Sequence, residues 1–145
     1  MPYDRATDLQ LLKTLHKYYL VDLGLRTLFM GQDREDTGHM LENLVYFELL
    51  RRGWRVTIGK VERWDAAARK TKSVEVDFVA RKGRAVSYYQ VSESIMTPAT
   101  RERELASLRA IRDNHPKFIL TRDHSTADYG GIRHINVVRW LLGEG

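Results

Sequence analysis

The fold of this chain is decided by residues 73–92, which read SVEVDFVARKGRAVSYYQVS. Apolar residues alternate with polar ones in the first half of this stretch, a Gly-containing RKGR turn follows, and aromatic and β-branched residues fill the second half. This pattern predicts an antiparallel hairpin with strands at 74–80 and 85–92. The strands are adjacent, so polar residues placed within them are expected to lie close together.

The elements around the hairpin predict an α/β protein. Thr37 is suited to begin a helix as its N-cap and Gly53 to follow its end. A mixed sheet flanked by helices is the natural packing for such an order. The predicted elements are a helix at 8–16, a strand-like segment and short helix within 17–30, a helix at 37–52, a strand at 54–61, the hairpin, a helix at 98–113, a strand at 117–121, and a short strand and helix within 131–142.

The size of the chain predicts a single domain, since 145 residues fall within the common range. Its expected parts are an N-terminal extension at 1–36, a core at 37–122, and a C-terminal strand and helix at 123–145. The charged connection at 62–73, ERWDAAARKTKS, is long for a hairpin turn, so we expect a mobile loop there.

The composition excludes several chemistries. Without cysteine the chain forms no disulfide, thiolate zinc site or cysteine nucleophile. The five histidines show no spacing typical of zinc ligands. The 24 basic and 19 acidic residues give a net charge of +5, which permits nucleic acid as a partner without requiring it. We expect no membrane association and a cytoplasmic location, because neither a signal sequence nor a long apolar segment is visible.

Carboxylates interrupt the apolar pattern at several positions. Glu48 falls in the middle of the apolar face of the helix at 37–52, where a buried ion pair or a hydrogen bond between helix and backbone is the expected explanation. Glu42 lies at the border of that face and can point over the edge of the sheet. Asp77 stands mid-strand between Val76 and Phe78, either held by a neighbouring arginine or offered to a hard cation.

The residues Glu42, Asp77, Gln90 and Ser92 resemble the motif of the PD-(D/E)XK nuclease superfamily, with a spacing similar to that of archaeal Holliday-junction resolvases. The resemblance covers residues 37–122. It implies a restriction-endonuclease-like core of order αβββαβ and a Mg²⁺ site at Glu42, Asp77 and Gln90. Catalytic roles would fall on the same three residues together with Ser92.

A narrower resemblance runs along nearly the whole chain. It is to an uncharacterised C-terminal domain appended to bacterial and archaeal AAA+-type ATP-binding proteins, and it implies an ATPase module as partner, in the same or another chain. The sequence contains no Gly-x-x-x-x-Gly-Lys-Ser/Thr loop, so no nucleotide site is expected in it. The strings that carry the resemblance are KYYLVDLGLR, GHMLENLVYFELLRRGWRVTIGK, EVDFVA, YYQVSES, DNHPKFILT and GIRHINVVRWLL.

Two of the four motif positions depart from the nuclease pattern. Gln90 replaces an acid, and Ser92 stands where the superfamily has a lysine. A serine supplies no positive charge at any pH, so we expect a domain that no longer cleaves. The alternative is an active Mg²⁺-dependent DNA or RNA endonuclease in which Glu75 adds a carboxylate and Lys60, Lys117 or Arg101 replaces the lysine.

The expected function is therefore that of a nuclease-like accessory domain that binds DNA, RNA or a protein partner. Trp64 lies in a charged segment, where an aromatic side chain is suited to contact a partner. A purely structural domain that orients the ATPase is a third reading. The expected contact residues are Trp64, Arg69, Lys70, Lys72 and Arg101.

Overall fold

A computed structural model describes residues 34–144 of the chain. The described part begins with a long helix and continues with three strands, a helix, three further strands and a final short helix. These elements are α1 (Arg34–Arg51), β1 (Arg55–Asp65), β2 (Lys70–Lys82), β3 (Ala85–Val91), α2 (Pro98–Arg109), β4 (Lys117–Thr121), β5 (Asp128–Tyr129), β6 (Ile132–Asn136) and α3 (Val137–Leu141).

The described strands form one six-stranded sheet in the order β1-β2-β3-β4-β6-β5. β1, β2 and β3 are antiparallel to one another, whereas β3, β4 and β6 run parallel. α2 makes the crossover that a parallel β3–β4 pair requires. The short β5 forms the edge of the sheet opposite β1 and pairs antiparallel with β6. The prediction of an α/β protein with a mixed sheet flanked by helices is confirmed.

Two apolar clusters cover the two faces of the sheet. α1 and α3 pack on one face and α2 on the other, so the sheet is the middle of three layers. The first cluster consists of Leu41, Leu44, Val45, Leu49, Ala80, Tyr89, Val91, Leu120, Ile135, Val137, Trp140 and Leu141. The second, smaller cluster consists of Val76, Ile95, Leu105, Leu108, Ile119 and Ile132.

The helix bounds differ from the predicted ones by a few residues. α1 begins at Arg34, so Thr37 lies inside the helix and is not its N-cap. Gly53 does follow α1 as predicted, and its φ of +90° is one that other residues rarely adopt. Asn136 caps α3 by accepting the N–H groups of residues 138 and 139, which the sequence reading did not anticipate. The elements predicted within residues 8–30 lie outside the described residues.

The predicted loop at 62–73 is wrong. β1 and β2 stay paired as far as Asp65 and Lys70, and only residues 66–69 form the turn. Asp65 stabilises this turn, because its Oδ1 accepts the backbone N–H of Ala67 at 3.0 Å. Its other oxygen lies 2.7 Å from the Lys72 ammonium. Charged composition concealed the strands, because both faces of a projecting ribbon meet water and no apolar alternation is needed.

No helix among residues 34–144 is long and apolar enough to cross a bilayer.

Candidate functional site

Asp77 lies at a bulge in β2. Two consecutive residues, Asp77 and Phe78, lie opposite the single residue Ile58 of β1. The glycine that follows, Gly59, is required there because a Cβ at this position would come within 2.5 Å of Val79 Cγ2. A bulge bends its strand and changes the direction of a side chain. It therefore accounts for a carboxylate turned toward β3 at this point.

Side chains replace the backbone ladder where β2 and β3 separate. The last backbone pair is Phe78 with Tyr89. Beyond it, the N–H of Asp77 donates to Gln90 Oε1 at 3.0 Å. The N–H of Val91 donates in turn to Asp77 Oδ2 at 2.8 Å. Each polar side chain thus satisfies a backbone donor of the opposite strand, which would otherwise be buried without a partner.

A third polar side chain joins this pair from α2. The amide nitrogen of Gln90 donates to Glu104 Oε2 at 3.0 Å, so both polar atoms of the buried Gln90 side chain are engaged. Glu104 was not among the predicted site residues, because it lies in the charged run RERE, which is typical of a solvated helix face. Its position one turn before the buried Leu108 is the sequence signal that points it toward the sheet.

The electrostatics around Asp77 are dominated by burial and by other acids. Burial raises the pKa of Asp77, the hydrogen bond from Val91 opposes that change, and the charges of Glu42, Glu104 and Glu75 raise it further, to about 6. None of these influences comes from a cation. Among residues 34–144, no arginine forms a salt bridge with Asp77, so Asp77 is not the simple ion-paired residue that the sequence also allowed.

Glu42 approaches the same group from α1. Burial raises its pKa, the nearby His39 opposes the change, and Glu104 adds to it. Hydrogen bonds thus join Asp77 to Gln90 and Gln90 to Glu104, and Glu42 is near enough for its charge to raise the pKa of Asp77. Carboxylates are the ligands that Mg²⁺ prefers. Across residues 34–144, no three Asp, Glu or His side chains are grouped so that they alone could hold a metal ion.

Ser92 is directed elsewhere. Its hydroxyl donates to the backbone oxygen of Ser94 at 3.2 Å, within the loop that leads to α2. The structure thus places the fourth motif residue in a loop contact, and no hydrogen bond described for it reaches Asp77 or Gln90. Ser92, the fourth residue of the predicted motif, thus stabilises a turn.

A buried polar network anchors that same loop to β4 and β6. Asp123 accepts the hydroxyl of Ser94 at 2.6 Å and the N–H of Ile95 at 2.9 Å. Thr121 Oγ1 lies 3.1 Å from Asp123 Oδ2 and 2.7 Å from His134 Nε2. Burial lowers the pKa of His134 despite the nearby Asp123 charge, so the ring is neutral at pH 7. This network fixes the start of α2, and with it Glu104.

The cations proposed to replace the motif lysine have other partners or positions. Lys117 donates from Nζ to the backbone oxygen of Asp113 at 2.7 Å. Arg101 donates to the carbonyl oxygens of residues 95 and 96 at 3.2 Å, so it stabilises the loop before α2. Lys60 lines a cavity beside Val76, one residue from Asp77. Of these three cations, Lys60 is thus the one that shares a cavity with Val76, the residue before Asp77.

The predicted partner-contact residues lie mainly on the β1–β2 ribbon. Trp64 is 63% exposed and lines a cavity of about 860 Å³. Arg69 and Lys70 are exposed at the turn, and Lys72 is paired with Asp65 at 2.7 Å. Arg101 is separate from this group, because it donates to the carbonyl oxygens of the loop before α2.

Glu48 confirms the expectation of a buried ion pair. Its side chain is 1% exposed and receives two hydrogen bonds from Arg51, at 2.9 and 2.7 Å, and one from Arg52 at 2.9 Å. Burial acts to raise the pKa of Glu48, but the two guanidinium groups outweigh it and hold that pKa below its usual range. Arg52 also donates to the carbonyl of Trp140 at 2.6 Å, which joins α1 to α3.

Comparison with known proteins gives one informative similarity. The chain is 38% identical over 132 residues to an uncharacterized protein of Haemophilus influenzae. That alignment covers 90% of this chain but 30% of the relative, so the chain spans about a third of the length of the protein it matches. No family model matches the chain.

Proposed function

We propose that this chain is a nuclease-like accessory domain of an AAA+-type ATP-binding protein, and that it binds nucleic acid without cleaving it. The observation that carries the proposal is the bridge of Asp77, Gln90 and Glu104 between β2, β3 and α2. Residues at the positions of the proposed PD-(D/E)XK motif meet there, yet their polar atoms already form hydrogen bonds with the backbone and with another side chain. In this proposal the motif residues have a structural role.

The arrangement of elements supports the nuclease-like part of the proposal. The order α1-β1-β2-β3-α2-β4 agrees with the αβββαβ core that the resemblance implies. Glu42, Asp77 and Gln90 come from three different elements and meet near the carboxyl end of β3. A fold supports many functions, so this agreement is an argument from likeness and the site must carry the rest.

The loss of cleavage is supported by the missing cation. In the superfamily a lysine assists the attacking water, and Ser92 at that position is engaged with Ser94. The groups that shift the pKa of Asp77 include three carboxylates and no lysine or arginine. A general acid or base must lie within hydrogen-bonding reach of the reacting atoms.

The length of the relative supports the accessory role. The H. influenzae protein extends well beyond the aligned part, which covers 30% of it. We propose that the remainder of such a protein carries the ATPase module, in keeping with the resemblance of this chain to an appended C-terminal domain.

A cleavage and binding assay tests this function. The purified chain is incubated with branched, single-stranded and duplex DNA and with RNA, in Mg²⁺ or Mn²⁺, beside Asp77→Ala and a control, Asp128→Ala, on the exposed edge strand β5. We expect binding at low salt and no cleavage by any of the three proteins. Cleavage that Asp77→Ala abolishes and Asp128→Ala retains would refute the loss of activity. Failure to bind any nucleic acid would leave a protein partner in its place.

An active Mg²⁺-dependent endonuclease is the second candidate. Glu104 favours it, because this residue brings a further carboxylate to the site where Gln90 replaced one. Lys60, which borders the cavity beside Val76, is the residue we would assign the lysine role. In that case Glu104→Gln and Lys60→Ala would each abolish the cleavage seen in the assay above.

A further inference from the structure

The paired strands β1 and β2 project beyond the rest of the sheet. β2 pairs with β1 along residues 70–81 but with β3 only along 78–82. The part of this ribbon that extends past the end of β3 consists of about residues 60–75, which are the ends of both strands and the turn between them. Within it, Trp64 lies directly opposite Thr71, near the turn. The projection forms a wall beside α2, because Glu62 and Trp64 line one cavity together with residues of that helix.

The ribbon and α2 enclose a groove, which we call the ribbon groove. It consists of two adjoining cavities of about 860 and 370 Å³ that share Ala110 and Arg112 in their linings. Trp64 and Glu62 form the ribbon side of the larger cavity, and the α2 side includes Glu102, Ala106 and Arg109. An indole that is 63% exposed yet borders a groove leaves much of its surface available to a ligand.

The ribbon groove carries more positive than negative charge. Four cations line it, namely Lys60, Arg81, Arg109 and Arg112, against the two acids Glu62 and Glu102. Glu102 and Arg109 pair with each other at 2.8 Å, so the unpaired charges a ligand meets are Lys60, Arg81 and Arg112 against Glu62. The exposed residues Arg69 and Lys70 add positive charge at the tip of the ribbon. The groove is thus complementary to an anionic chain.

We propose that the ribbon groove binds single-stranded nucleic acid, with a base stacked on Trp64 and phosphates held by Arg112 and Lys60. An aromatic side chain in a basic groove is the combination that binds single strands without regard to sequence. A duplex keeps its base faces inside its own stack, whereas an unpaired base presents a free face to an indole. The inference rests on the proposed function and names its ligand class and its binding surface.

Fluorescence anisotropy with labelled oligonucleotides of about 12 residues tests the inference. The chain is titrated with oligo(dT), oligo(U) and a duplex of equal length, over roughly 50–200 mM salt. We expect the single strands to bind more tightly than the duplex, and the two single-stranded arms distinguish DNA from RNA. Trp64→Ala should weaken binding about 5- to 100-fold, as expected for the loss of one stacked base, and Trp64→Phe should weaken it less.

Charge variants supply the second measurement. Arg112→Ala should weaken binding and reduce the slope of log K against log salt by about 0.7, the loss of one phosphate contact with a single strand. Arg139→Ala, an exposed arginine on the opposite side of the sheet, is the matched control and should change neither quantity. Circular dichroism verifies that each variant is folded, which the exposure of Trp64 favours.

The outcomes separate this inference from the function on which it rests. Tight duplex binding that Trp64→Ala and Arg112→Ala leave unchanged would overturn the ribbon groove and retain a nucleic-acid-binding domain. Binding of a poly-glutamate peptide in preference to any oligonucleotide would overturn both, in favour of an acidic protein partner. Loss of single-strand binding in Trp64→Ala, with Arg139→Ala unaffected, would support both.

Discussion

Glu48 and Asp77 are two acids in the interior of the same protein, and they are stabilised in opposite ways. Glu48 lies between two guanidinium groups that together give it three hydrogen bonds. Asp77 receives one backbone N–H, from Val91, and its charged neighbours are other carboxylates. The first acid has a lowered pKa and the second a raised one.

We take the difference to distinguish an acid with a structural role from the acids of the proposed functional site. A buried charge that serves only stability is surrounded by opposite charge, because an unpaired one costs several kcal/mol. Acids that crowd together without a cation cost stability, and such groups are concentrated at functional sites. Glu42, Asp77 and Glu104 form such a group, which is why we assign the proposed function to these residues.

The largest expected effect is on the Glu48 side. Glu48→Gln removes the anion between Arg51 and Arg52 and should lower the free energy of unfolding by about 3 kcal/mol, the lower end for a buried pair because both arginines are partly exposed. Urea denaturation measures it. Glu102→Gln, which breaks the exposed pair with Arg109, is the control and should cost at most about 1 kcal/mol. Equal losses in the two variants would contradict the structural role of Glu48.

Restoring an acid at Gln90 should have the next largest effect. Gln90→Glu replaces the donor to Glu104 by another carboxylate, so we expect a loss of about 2 kcal/mol in EDTA. Millimolar Mg²⁺ or Mn²⁺ should recover part of this loss, measured as a rise in Tm. Gln90→Leu loses both the hydrogen bond to Glu104 and the one from Asp77, without adding charge, and should show no response to the metal. A Gln90→Glu protein indifferent to both cations would show that the carboxylates do not converge.

The smallest effect is a difference in pH dependence. The pKa of Asp77, about 6 when folded against 3.8 ordinarily, means that the folded protein binds the proton more strongly, so this residue lowers stability as the pH rises from 4 to above 6. Glu48 acts in the opposite sense: its lowered pKa contributes stability above pH 4.5 that is lost as the pH falls.

Asp77→Asn should therefore raise stability by about 1–2 kcal/mol at pH 7.5 and change it little at pH 4, measured from urea midpoints at both values. The asparagine oxygen can still accept the N–H of Val91, so the variant differs from the parent in charge and not in this hydrogen bond. A variant that is less stable than the parent at pH 7.5 would mean that the charge of Asp77 is satisfied by a group we have not assigned.

Local patterns were sufficient for much of this structure. Alternation at 74–80 and 85–92 predicts the hairpin, and the hairpin alone brings Asp77 near Gln90. The ion pair of Glu48 also follows from its own helix, since Arg51 and Arg52 lie one turn further along.

What could not be predicted depends on partners distant in sequence. Glu104 meets Gln90 only because α2 crosses the sheet, and a run of charges conceals its direction. The contact of Asp123 with Ser94 similarly joins two loops separated in sequence by all of α2 and β4. The ribbon at 62–73 was missed for another reason, namely that a strand exposed on both faces has no periodic apolar signal.

The exchange of ladder bonds for side-chain bonds between β2 and β3 has a consequence for observing this protein in solution. The amide of Val91 is shielded by a carboxylate that titrates near pH 6, and the amide of Asp77 by the carbonyl of Gln90. Any ligand that draws either side chain away exposes the amide beneath it to solvent. The hydrogen-exchange rates of these two amides therefore serve as a built-in probe of occupancy at the carboxylate group, with the Phe78–Tyr89 ladder beside them as reference.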